Sequence, residues 1–458
     1  MILLKNSIDN KICFKKNFFL FAFFIAFFSI STSLDNLKIM FEPTNQISYP
    51  QIVNFFRVFL NLSIFPVLIV MVMINFLKTD DNLYKYSNLL FFLALLYFLS
   101  QVPGLFYTLN EFENIIYIIS ALNILISTFL STQFFSKKEL LIYPYILFII
   151  FSLVTLIFLI KDFERFIVYG YRFYGSYTSF FETNILRSSG LSRIALVALI
   201  FYVIFFQNFL NKSIFGKIPV YFFIMAIFLY QSRTSVIILI LFLIFNFFYD
   251  KKKRAEKALK FIAIPLFLIL TITTILQSYT QYEISNLDKL QTTNTEHGKS
   301  PSNVKEEVKS ELKRKNRDLD TLNRNYQTGS ILTSSGRVED WTDLINTFNF
   351  KKNLFFGYGA QGDRFLIKQS ASNGTLYALT SGGLIGLILF VGFSSIVLIK
   401  TIKLIFFKKN KDKILVYACA IILSIGLRSA VESSYSHFGI DFILFYMALM
   451  ILQKYDNV

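Results

Sequence analysis

Residues 218–249 read IPVYFFIMAIFLY, then QSRTS, then VIILILFLIFNFFY. A helix on the surface of a soluble protein carries one apolar stripe and a polar back, whereas these two runs are apolar on every side. Roughly 20 such residues take a helix through the hydrocarbon of a bilayer. The polar turn between them, with Arg233 at its centre, reads as the point where the chain meets water and turns back; a single broken helix is the alternative. Counting this pair, apolar runs recur at 17–34, 52–77, 88–109, 115–135, 140–160, 194–210, 218–231, 234–249, 261–281, 375–399, 414–430 and 438–453. The expected fold is an all-α integral membrane protein of about 12 transmembrane helices. Charged residues make up 16% of the chain, against roughly 25% in a soluble domain.

The net charge of +17 is distributed unevenly along this topology. With the N-terminus inside, the cytoplasmic segments hold 23 Lys and Arg against 8 Asp and Glu, the external ones 23 against 21. The basic excess is therefore a positive-inside signature and does not call for a nucleic-acid partner. Both termini are expected to be cytoplasmic. The first run follows Lys5, Lys11, Lys15 and Lys16, and Ser31-Thr32-Ser33 is a poor cleavage site, so it reads as an uncleaved signal anchor.

Two external segments exceed a connector's length. Within residues 1–281, which carry the first nine spans, the segment 161–193 contains Arg187 and Arg193. Residues 282–374 form the large periplasmic loop, ahead of three C-terminal spans in 375–458. Its part 286–326 is a charged tether. Its part 334–374 is expected to be ordered and to contain short amphipathic helices: Val338, Trp341, Ile345 and Phe348 recur at helical spacing, Ser335 suits an N-cap, and Glu339 and Asp340 fall in the first turn.

The candidate chemistry lies in external arginines. Burying a charge at a helix centre costs roughly 2.5–3.5 kcal/mol on insertion scales, so Arg233 either snorkels to headgroups or points into a cavity. Arg187, Arg233 and Arg337 on one face would suit a polyanion, because the guanidinium fork makes paired bonds to phosphate. Gly357-Tyr358-Gly359-Ala360-Gln361-Gly362 has dinucleotide-fingerprint spacing without the strand that fingerprint requires, and reads as a tight turn. Asp318-Leu319-Asp320 and Glu111-Phe112-Glu113 read as solvated charge. Cys13, Cys419, His297 and His437 are too scattered for a thiolate or metal site, so no metal or cofactor is expected. His437, near Arg428, Glu432 and Tyr435, is a candidate general base beside the commoner reading of a surface histidine.

Ser334-Ser335-Gly336-Arg337-Val338-Glu339-Asp340-Trp341, Phe356-Gly357-Tyr358-Gly359, Ser372-Asn373-Gly374-Thr375-Leu376 and Gly382-Gly383-Leu384-Ile385-Gly386-Leu387 occur in this order. Together with Gln231-Ser232-Arg233 and Arg187-Ser188-Ser189-Gly190, they resemble the O-antigen ligase and polymerase superfamily over about 185–440. The resemblance implies metal-independent glycosyl transfer from an undecaprenyl diphosphate-linked glycan donor to a glycan or lipid acceptor, at the periplasmic face of a bacterial inner membrane. It implies that Arg233 and Arg337 engage the donor diphosphate, with Arg187, Arg193, Ser372 and Asn373 as further substrate-binding candidates. Membrane lipids and polysaccharide-assembly proteins are the remaining expected partners. Ligases of the family carry His-Asn where this chain has Ser372-Asn373, which moves the expectation toward a polymerase. A ligase acting on lipid A core or protein is the first alternative, and a flippase of lipid-linked oligosaccharide an alternative of another class.

Overall fold

In the computed structural model, residues 16–28, 49–77, 89–107, 111–169, 188–206, 215–230, 232–249, 337–367, 370–407 and 412–456 are described. The expected span 261–281, the tether 286–326 and Arg187 lie outside them. The chain divides into two compact units, one made of Met1–Pro265 with Asp340–Val458 and the other of Leu266–Glu339.

The described residues are helical, with no strand among them. We number the helices α1 (Lys16–Phe28), α2 (Tyr49–Leu77), α3 (Leu89–Leu99), α4 (Glu111–Phe134), α5 (Ile142–Tyr169), α6 (Ser188–Phe205), α7 (Ile218–Leu229), α8 (Arg233–Tyr249), α9 (Arg337–Thr347), α10 (Phe350–Asn353), α11 (Gly362–Ile367), α12 (Gly374–Phe407), α13 (Lys413–Ser429) and α14 (Ile440–Asp456). Among the described residues, four helical segments are long and apolar enough to cross a membrane: Leu89–Tyr107, Asn114–Phe134, Glu139–Phe163 and Gly374–Ile405. Shorter apolar helices include Lys16–Phe28, Ser189–Phe205 and Phe215–Leu229. The expected run 88–109 is not one helix, because Pro103 opens a separate 3-10 turn, Pro103–Tyr107. The run 218–249 is two helices, α7 and α8, parted at Tyr230–Ser232.

Helices α13 and α14 form the centre. From Phe442 to Leu452 every side chain of α14 is buried, and α13 is buried through most of its length. Around them pack α4, α6 and α12, while α2 turns Phe55, Phe59 and Met73 outward and α5 turns out Leu153 and Ile160. Such outward apolar faces suit a lipid solvent.

Contacts fix the direction of each helix. One end of the bundle gathers the start of α6 and end of α7, through Ser192 Oγ donating to Ile227 O. It also gathers the starts of α12 and α14 and the ends of α3 and α13, through Asn373 Nδ2 to Ala430 O and Tyr97 OH to Ser436 O. The opposite end holds the Lys16–Glu139 ion pair, Lys454 donating to Thr132 O, and Lys137 over the Tyr455 ring.

Helix α12 is broken at Gly383, whose φ of 62° and ψ of −156° interrupt the ladder. In an unbroken helix Thr380 O and Ser381 O would accept from Leu384 N and Ile385 N. Here residues 354–359 are spliced into the gap. Tyr358 N and Gly359 N donate to Thr380 O and Ser381 O at 2.8 and 3.0 Å, while Leu384 N and Ile385 N donate to Leu354 O and Phe355 O at 2.7 and 3.4 Å. These four backbone groups are thus paired again. The segment expected as a tight turn is this splice: Gly357 and Gly359 take positive φ, and a Cβ on Gly357 would stand 2.6 Å from Thr380 O.

Candidate functional site

Helix α9 covers part of the loop that leads into α12. Its inward face is Trp341, Leu344 and Phe348, whereas Ile345, expected on that face, is exposed. The error is one position of phase, since Leu344 and Ile345 are equally apolar and the flanking polar residues fit either stripe. Arg337 is the first residue of α9 and Arg233 the first of α8; the backbone of each is described and its side chain is not.

Trp341 Nε1 donates to Ala371 O at 2.7 Å. From the other side, Asp363 in the first turn of α11 accepts the Ala371 N–H on Oδ2 at 2.7 Å and the Arg364 N–H on Oδ1 at 2.9 Å. Asp363 is 2% exposed, and burial raises its carboxyl above the ordinary aspartate value. Ser372 follows with φ of 48°, a conformation that costs a non-glycine residue about 1 kcal/mol or more. Its N–H donates to Ser370 Oγ, which in turn meets Ser433 Oγ at 2.9 Å. Asn373 then caps α12: Oδ1 accepts from Thr375 N and Leu376 N, and Nδ2 donates to Ala430 O.

The segment that receives these contacts, 428–441, carries a buried ionic cluster. Asp441, in the first turn of α14, bridges two guanidiniums: Oδ1 lies 3.0 Å from Arg193 Nη1 and Oδ2 lies 2.9 Å from Arg428 Nε. Ser434 Oγ donates to Oδ2 at 3.2 Å, and Glu432 lies 3.6 Å from Arg428 Nη2. The side chains of Asp441 and Arg428 are 2% and 4% exposed, those of Arg193 and Glu432 20% and 24%. The charges sit where helix ends favour them, the acid at the start of α14 and Arg428 at the end of α13.

His437 is not a surface residue. Its ring lies between Tyr117 of α4 and Tyr377 of α12, with centroids 5.3 and 5.4 Å away, and Nε2 is buried without a hydrogen-bond partner among the described residues. Burial first, and then the nearby Arg364 charge, pull its pKa down to about 3. The imidazole is neutral at physiological pH and a weak proton acceptor.

Of the residues expected from sequence, Arg193, Ser372, Asn373 and His437 therefore meet around the turn 428–441. Asp363 and Asp441 escaped the sequence reading. Asp441 stands alone among neutral neighbours in the chain with its arginine partners 13 or more residues away, and Asp363 beside Arg364 reads as one more solvated pair, its bond to the Ala371 N–H being invisible in the sequence. Among the described residues no three His, Cys, Asp or Glu side chains come together as a metal site.

Residues 218–391, from α7 to beyond the break in α12, match the family model described as O-antigen ligase. Over these residues the chain is similar to the O-antigen ligase family, which supports the resemblance to the O-antigen ligase and polymerase superfamily. No curated protein matches the chain.

Proposed function

We propose, from that superfamily match, that this chain polymerises lipid-linked oligosaccharide repeats of an O-antigen or exopolysaccharide. In this reading it spans the bacterial inner membrane about twelve times, with both termini cytoplasmic. The segments 282–374 and 161–193 and the turn 428–441 face the periplasm. The donor is a glycan on undecaprenyl diphosphate. The acceptor's hydroxyl oxygen bonds the anomeric carbon as the bond to phosphate breaks, the diphosphate leaves with the bonding pair, and the hydroxyl's proton passes to the departing diphosphate. Its charge grows along this path, so guanidiniums placed beforehand stabilise the transition state more than the ground state. Arg233 and Arg337 carry that role, with Arg187 and Arg193 nearer the glycan and Ser372 and Asn373 at the acceptor.

The observation that carries polymerase over ligase is the turn Ser370–Asn373: it caps α12 within the matched region and holds a serine where ligases resemble one another in carrying histidine. His437, in the turn between α13 and α14 and held between Tyr117 and Tyr377, is assigned to packing and not to moving the acceptor proton. The ligase reading stays second because the family description names that activity.

The glycan profile of a deletion strain tests the proposal. Polymerase loss leaves surface glycan of a single repeat. Long polymer stranded on the carrier lipid would establish the ligase instead, and repeats retained on the cytoplasmic face would establish a flippase. Complementation with Arg233→Ala or Arg337→Ala is expected to restore protein but not polymer; normal polymer would remove the diphosphate clamp.

A further inference from the structure

Among the groups around the turn 428–441, Asp363 is a buried carboxylate that the reaction above does not use. Its two oxygens serve two backbone N–H groups from different segments, Arg364 of its own helix and Ala371 eight residues on. An asparagine side chain offers one acceptor oxygen and turns an NH2 toward the other N–H, so the carboxylate is specifically required. The peptide on the far side of Ala371 is pinned independently by the Trp341 indole. Ala371 itself is wholly buried, and its bond to Asp363 is made out of water, that to Trp341 partly so. The next residue is Ser372, held at positive φ. The other polar groups of Ser370–Asn373 for which bonds are described point into the protein, whereas the Ser372 hydroxyl has no hydrogen-bond partner among the described residues and its residue is half-buried.

We infer that Asp363 is a positioning residue: with Trp341 it fixes the peptides on both sides of Ala371 and so presents the Ser372 hydroxyl to the acceptor sugar. A neutral hydroxyl both donates and accepts, which suits a sugar hydroxyl better than a phosphate oxygen. The inference rests on the glycosyl-transfer reading for its substrate and on the geometry alone for the clamp. The raised carboxyl of Asp363 agrees with a group whose solvation has been exchanged for two amide bonds.

The test uses the full chain in proteoliposomes with a lipid-linked repeat as donor and acceptor, and compares Asp363→Asn, Ser372→Ala and the double variant. A bond from a neutral donor to a buried carboxylate is worth roughly ten- to hundredfold in an equilibrium. Asp363→Asn is therefore expected to lower kcat by about tenfold or more, with KM changed less than about twofold. Because Asp363 acts through Ser372, the double variant is expected to be no slower than the slower single one. Amide exchange in residues 370–374 is expected to accelerate in Asp363→Asn while α13 and α14 keep their protection. Multiplying losses in the double variant, or full activity with an unchanged turn in Asp363→Asn, overturn the inference. If the parent protein transfers no sugar, the polymerase reading fails, and the exchange measurement still decides the clamp. Should Asp363→Asn not fold, Trp341→Phe removes the opposite bond and is held to the same exchange and kinetic criteria.

Discussion

Replacing Asp441 by Asn keeps the shape of the side chain and removes one charge from the middle of the ionic cluster. The carboxylate is 2% exposed and touches Arg193 at 3.0 Å, Arg428 at 2.9 Å and Ser434 at 3.2 Å. After the substitution two guanidiniums share a buried space with Glu432 alone, which approaches Arg428 at 3.6 Å. Breaking a buried pair by removing one partner costs about 3–5 kcal/mol, because the remaining charge is stranded away from water. Arg193 is 20% exposed and can turn outward, whereas Arg428 at 4% cannot, so the lower half of that range is expected. Glu432→Gln is the internal control. At 24% exposure and 3.6 Å it resembles a surface pair, worth about 0–1 kcal/mol. Unfolding in mixed SDS micelles at neutral pH reads both. Replacing Arg428 and Asp441 together by Met and Leu is expected to recover part of the loss. A cost for Asp441→Asn below about 1 kcal/mol, or one equal to that of Glu432→Gln, would refute the assignment of the cluster as the lock between α6, α13 and α14.

Gly104→Ala would drive a Cβ into the backbone of Gly359, where no side chain can yield, and is expected to cost more than about 3 kcal/mol and to abolish accumulation of folded protein; Gly392→Ala, with open space around it, is expected to be tolerated. His437 titrates near 3 in the folded protein and near 6.5 when exposed, so between these values the unfolded chain binds the additional proton. Stability is then expected to be flat above about pH 6.5 and to fall by up to about 1.4 kcal/mol per unit below it. His437→Phe should flatten that fall, and an unchanged pH profile of thermal unfolding would disprove the buried, neutral ring.

The helical architecture was legible because hydrocarbon imposes one rule on every spanning segment, and the polar residues 231–235 marked the boundary between α7 and α8 without tertiary information. The break in α12 was not legible. Gly382-Gly383 lies in an apolar run that reads as continuous helix, and the splice depends on residues 354–359, which no local pattern ties to it. The site divided in the same way. Ser372, Asn373 and Arg193 stood out because the resemblance in the order of motifs pointed to them, although it gave no sign that Arg193 pairs with Asp441. Asp441 and Asp363 each acquire meaning through a pairing partner remote in sequence or a backbone group eight residues away, neither of which has a periodicity.

The spliced break in α12 also constrains how the chain is made. Entering lipid alone, this helix would pair Thr380 O and Ser381 O with Leu384 N and Ile385 N as an unbroken helix, so the break at Gly383 forms only where residues 354–359 offer the same four groups other partners. The residues that satisfy them, 354–359, are synthesised first and lie against Gly104 of an earlier helix connection. The break in α12, rather than its entry into the bilayer, therefore has to wait for the preceding segment to fold back. The final shape of this helix is thus set by tertiary folding after insertion, and an insertion between 359 and 374 that displaces the splice would leave α12 straight and shift the loop that Asn373 caps onto it.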